Sequence, residues 1–193
     1  MRILIFFTLS LISLASYSQA ANTTKLLNKA IQDSISYRNK AIAFIKEVRK
    51  DNLKDTSFIL VDKPFNYNTF TCFEELSKDV STFSKQELQF IRNKKFHSIS
   101  SWAMDDFTNI KQVKKDSLNS IFAGKGDGWE YFYTHFGKGF HSFSYPIFLR
   151  NDNYCIFYFD NSCGWLCGVG WLSLYKKVND KWVELKTYCN WVS

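Results

Sequence analysis

Residues 160–170, DNSCGWLCGVG, pack two cysteines, four glycine or asparagine turn formers and a tryptophan into eleven positions, and their reading decides the fold. A reactive cysteine of the papain kind sits at a helix N-terminus, which lowers its pKa. Here Gly168 and Gly170 oppose a following helix, and His97, His135 and His141 all precede the cysteines. A structural zinc site needs four ligands from close-spaced pairs. Cys163 and Cys167 offer one pair, and only His135 and His141 could supply a second. The remaining reading is a stapled chain reversal. If residues 164–166 form a hairpin tip, Cys163 and Cys167 face each other across the first cross-strand pair, at a separation a disulfide tolerates. Gly168 and Gly170 then lie on one face and let a ring or backbone approach closely. The staple is the reading adopted, with no catalytic residue, metal or cofactor assigned.

Outward from that stretch, the C-terminal part reads as β. Pro146 suits a strand entrance. Residues 151–153 form a turn, Tyr154–Phe159 a strand, 160–164 a turn, and Leu166–Tyr175 a strand. Residues 178–181 make a hairpin turn and Trp182–Val192 a last strand. The N-terminal part reads mainly as helix. Leu27, Ile31, Ile35, Ile42 and Ile45 mark one side of an amphipathic helix from Asn22 to about Lys50, capped by Thr23 or Thr24. Residues 57–61 predict a brief strand and 72–80 a helical turn. Ser84-x-x-Glu87 matches a capping box that opens a helix ending at Lys94-Lys95. A strand is expected around Ile99–Trp102 and a short aromatic helix over 129–136. The class is α+β, with N-terminal helices packed on a C-terminal antiparallel β-meander.

Residues 1–20 have the form of a secretory signal: Arg2, an apolar run over Ile3–Leu14 too short to span a bilayer, then Ser18 and Ala20 before the cut. Its removal takes the formal charge from +7 to +6 and leaves residues 21–193 as a single α+β domain with no transmembrane segment. The lysine doublets 94–95, 114–115 and 176–177 are scattered, so nucleic acid is not an expected partner. An exported basic chain points instead to an anionic envelope polymer or to a protein.

An exported chain favours oxidised thiols. Five cysteines leave one over. Cys155 and Cys189, on flanking strands, form one candidate bridge; the alternative ties Cys72 to the sheet, and spacing alone does not choose.

From Trp129 onward the chain resembles a group of uncharacterised exported bacterial proteins of Bacteroidetes type. The matching residues are Trp129 with Phe132, Ser144 with Pro146 and Phe148, Cys163-Gly164 with Leu166-Cys167-Gly168 and Gly170, Lys181-Trp182, and Trp191-Val192-Ser193. The resemblance implies an antiparallel C-terminal sheet and export. It supplies no activity.

The functional expectation is a non-catalytic binding or structural protein of the cell envelope or exterior, secreted or periplasmic. Trp165 at the hairpin tip is its contact residue, because its own strand can least bury it. The competing readings are a hydrolase of cell-wall or extracellular material, using Asp105, Asp106, Glu130, His135 and His141, and a periplasmic inhibitor or immunity-like protein. The hydrolase requires those side chains to converge. The Gly124–Gly128 run lacks the spacing of a phosphate-binding loop and reads as a plain loop.

Overall fold

The computed structural model describes residues 4–66, 72–93, 101–124 and 126–193, with side chains omitted for residues 4–22 and 24. His97, Ile99 and the Lys94-Lys95 doublet lie outside the described residues. The chain divides into two compact units, Met1–Lys40 and Ala41–Ser193.

Helix α1 spans Leu4–Val48. No glycine or proline interrupts those residues, so nothing in the backbone stops the helix. The cap expected at Thr23 or Thr24 is therefore absent, and the helix runs straight through both. In the first unit Leu26, Leu27, Ile31 and Ile35 are exposed. In the second, Ala41, Phe44 and Ile45 are buried. The Phe44 ring meets Phe148, Phe157, Tyr175 and Trp182 edge-on, with centroids 5.1–5.9 Å apart, an arrangement the ring quadrupoles favour.

The remaining elements are strand β1 (Ile59–Val61), helices α2 (Cys72–Lys78) and α3 (Lys85–Asn93), strand β2 (Lys111–Val113), and helices α4 (Lys115–Ala123) and α5 (Gly128–His135). Strands β3 (Phe140–Phe143), β4 (Ile147–Leu149), β5 (Tyr154–Gly164), β6 (Cys167–Val178) and β7 (Lys181–Val192) follow. They form one seven-stranded sheet of order β2-β1-β3-β5-β6-β7, with β4 also paired to β5. The class is α+β. The sheet is mixed, however, because β1 runs parallel to both β2 and β3. Strands β3 and β4 share one edge of β5, broken at Pro146, which has no N–H to donate. Ser144 mends the break: its N–H donates to the Tyr158 carbonyl at 2.9 Å, and its hydroxyl accepts the Tyr158 N–H at 2.8 Å.

Two further expectations are corrected. Trp102 is not in a strand; its N–H donates to the Asp62 carbonyl at 2.6 Å and its buried indole stacks on Tyr145, while the strand comes later, at β2. Residues 160–164 are not a turn, since β5 continues to Gly164. Asp160, Asn161 and Ser162 are weak strand formers, but each is paired on both sides, by β3 and by β6, and the pairing prevails.

One face of the sheet carries Ile147, Ile156, Tyr158, Leu172 and Tyr188 against Leu76 of α2 and Ile91 of α3. The capping box forms: Ser84 accepts the Glu87 N–H at 3.2 Å, and the Glu87 carboxylate accepts the Ser84 N–H at 2.9 Å. Arg150 adds a 2.8 Å ion pair to Glu87, which holds that carboxyl at about 2. The β6–β7 hairpin closes through Asn179 and Asp180, both at positive φ, the two-residue turn that matches strand twist. Strand β7 is an edge. Glu47 accepts its Trp182 N–H and Glu75 its Cys189 N–H, which occupies donors that another strand would otherwise use.

Candidate functional site

The β5–β6 hairpin ends in a two-residue turn, Trp165-Leu166, flanked by the pair Gly164 and Cys167. Ser162 pairs with Gly168, so Cys163 is an extra residue that bulges from β5. Cys163 and Cys167 are bridged, with Cα atoms 5.0 Å apart. The three-residue tip with directly opposed cysteines is thus corrected: the staple runs from a bulge to the first paired residue. A second element braces the tip. The Tyr133 hydroxyl, from α5, donates to the Cys163 carbonyl at 2.7 Å. A Cβ on Gly164 would stand 2.8 Å from that hydroxyl, so a larger residue there would push the Tyr133 brace aside. Held from both sides, Trp165 is 72% exposed and Leu166 88% exposed. Tyr133 itself is exposed, as is Lys138 in the segment after α5.

Beneath the tip, the glycine pair has a visible cause. Trp191 of β7 lies across Gly168 and Gly170, so close that a Cβ on either would strike the indole. That position brings the indole N–H within 2.9 Å of the Tyr158 hydroxyl oxygen. Tyr158 and the Asp160 carboxylate, two residues apart on β5, influence each other's titration. Asp160 also accepts the Ser142 N–H at 3.1 Å. Tyr158 therefore ties β5 to β7, and Asp160 ties β5 to β3. Burial pushes the Asp160 carboxyl up to about 6, against the lowering effect of Ser142 and Tyr158. Desolvation likewise raises Tyr158. The sequence reading missed this carboxylate because it placed Asp160 in a turn. The glycine pair was the available signal.

On the opposite face, the Arg49 guanidinium lies 4.2 Å from the Phe159 ring centroid and 5.1 Å from that of Trp171. It donates to the Tyr175 hydroxyl at 3.3 Å, and burial lowers its pKa. His141 stacks on Phe58 at 3.9 Å; burial depresses it to about 4, so it is neutral at physiological pH. Both groups are packed among aromatic rings. Elsewhere, Lys46, Lys50 and Lys54 border a cavity of about 210 Å³ with Leu53, Phe107 and Ile110.

The side chains required by the hydrolase reading have separate local roles. Asp106 is buried and accepts the Ala103 N–H at 2.7 Å. Asp105 is exposed in the same 3-10 turn, and Glu130 is exposed on α5. His135, also on α5, stacks on Tyr131, with Nδ1 2.8 Å from the Tyr131 carbonyl oxygen. Among the described residues no group of three or more histidine, cysteine or acidic side chains is arranged to hold a metal ion. Asp127, in the glycine-rich loop, caps α5 by accepting the Trp129 and Glu130 N–H groups.

The Cys155–Cys189 pairing is corrected. Cys189 is bridged to Cys72, and Cys155 remains a buried thiol. Strand β6 separates β5 from β7. Cys189 belongs to the cluster with Ile156 and Tyr158, whereas Cys155 alternates with them and points to the other face. No helix among the described residues is long and apolar enough to cross a membrane.

Comparisons with protein-family models, with curated proteins and with solved structures found no match for this chain.

Proposed function

We propose that this chain is an exported, non-catalytic binding protein of the cell envelope or exterior, whose stapled β5–β6 tip contacts an anionic polymer. In this reading residues 1–20 are a signal that is removed, the helices pack on the C-terminal meander, and the protein belongs with the exported group its C-terminal third resembles. The carrying observation is the tip itself. A bridge, a bulge and the Tyr133 hydrogen bond hold Trp165 and Leu166 outward at 72% and 88% exposure. Exposing two large apolar side chains on a braced turn opposes the hydrophobic effect, and a binding surface offsets that cost. The basic balance of the chain and the lysine-bordered cavity favour an acidic partner. Two bridges suit an oxidising compartment.

Titration with polygalacturonate, an acidic polysaccharide, tests the reading. Saturable binding that weakens with salt, and that weakens more than about tenfold in Trp165→Ser/Leu166→Ser at unchanged thermal stability, is expected. A double variant that binds as the parent does, or a parent that does not bind, overturns it. Capture of a protein through the same tip would reassign the partner.

A further inference from the structure

We infer that the segment over residues 23–35 of α1 is an interfacial element that lies on the surface of an anionic lipid bilayer. The inference is independent of the polymer reading; it shares with it only the loss of residues 1–20. Leu26, Leu27, Ile31 and Ile35 are 69%, 59%, 46% and 46% exposed. Of these, Leu27, Ile31 and Ile35 follow one side of the helix as an apolar stripe exposed to water, while Leu26 lies about 100° around the axis from Leu27. Helical spacing puts Lys25 and Lys29 on the side away from Leu27 and Ile31, and both lysines are exposed. Across residues 21–40 the charges are Lys25, Lys29, Arg38 and Lys40 against Asp33 alone. An apolar face with a cationic back is the composition of a helix that lies in the headgroup region of an anionic membrane.

A second copy of the chain fits the stripe less well. Leu27, Ile31 and Ile35 recur every four residues, so the stripe turns by about 40° per step around the axis. A paired helix needs alternating steps of three and four to keep its seam facing the partner. A broad, fluid lipid surface has no such requirement.

The test uses the protein secreted by an expression host, with its N terminus read by mass spectrometry, and vesicles of phosphatidylcholine with or without phosphatidylglycerol. Cosedimentation with the phosphatidylglycerol vesicles alone is expected, weakening with salt. Leu27→Ser/Ile31→Ser/Ile35→Ser and Lys25→Glu/Lys29→Glu should each weaken it more than about tenfold. Circular dichroism and thermal unfolding verify that both variants fold. Trp165→Ser/Leu166→Ser should leave vesicle binding unchanged, which separates this site from the tip. A parent that ignores the vesicles, or variants that bind as the parent does, overturns the inference. So does a dimer in light scattering that the serine variant abolishes while vesicle binding persists. An N terminus still at Met1 counts against the export reading, and the comparison of parent and variants within that longer chain still decides this one.

Discussion

The two disulfides join the same kinds of atom and do different work. Cys72–Cys189 spans 117 residues and fastens α2 to the edge strand β7 with both cysteines buried. Cys163–Cys167 spans four residues at the outer end of a hairpin. Loop-closure entropy assigns about 5 kcal/mol to the first and about 2 kcal/mol to the second. The long bridge restricts the unfolded chain as a whole, so its contribution is global. The short one removes little entropy and sets the shape of one exposed turn. Stability therefore reports on the seam between α2 and β7, and binding reports on the tip.

The largest expected effect comes from the seam. Cys72→Ala/Cys189→Ala should lose about 4–5 kcal/mol in denaturant unfolding; a loss no greater than that from the short bridge would break the comparison. Next comes the buried Asp160 carboxyl of β5. Burial holds the Asp160 carboxyl at about 6 in the fold, against 3.8 for a free aspartate. Between those values the folded chain holds a proton the unfolded chain has released. Stability should thus fall as pH rises from about 4 to about 6, by up to roughly 3 kcal/mol, and stay lower above. Asp160→Asn should flatten that part of the stability–pH curve; an unchanged slope would show that another group sets it.

Gly170→Ala drives a methyl group into the Trp191 indole and to 2.8 Å from the Tyr158 hydroxyl, whereas a Cβ at Gly126 meets nothing within 4 Å. The first should cost roughly 1–3 kcal/mol and the second well under 1 kcal/mol. Equal thermal shifts would mean that Trp191 does not rest on the glycine shelf. The smallest effect belongs to the tip: Trp165→Ser should move stability by less than about 0.5 kcal/mol, as expected for an exposed side chain. A cooperative loss of several degrees in Tm would place Trp165 in the fold and remove it from the contact surface.

Elements whose cause lies within a few residues were legible in the sequence. Ser84 and Glu87 form their box, and Asn179-Asp180 turn the last hairpin, because each needs only local geometry. The glycine pair at 168 and 170 foretold a close approach, though not that Trp191 makes it. What depends on distant partners was hidden. Leu60 pairs with His141 across 81 positions of sequence, and no periodicity announces a parallel neighbour. Asp160 looked like a turn residue until both flanking strands paired with it. Cys155 and Cys189 looked equivalent until the strand order put β6 between them. At the candidate site, the staple and the exposed tryptophan were readable from spacing. The bulge at Cys163 and the brace from Tyr133 required the fold.

The most direct measurement of the tip's role is the affinity of Cys163→Ala/Cys167→Ala for polygalacturonate, taken beside its denaturant unfolding curve. The account predicts a folded protein about 2 kcal/mol less stable whose binding is weakened tenfold or more, because the turn no longer holds Trp165 and Leu166 outward. Unchanged affinity in that folded variant would contradict it.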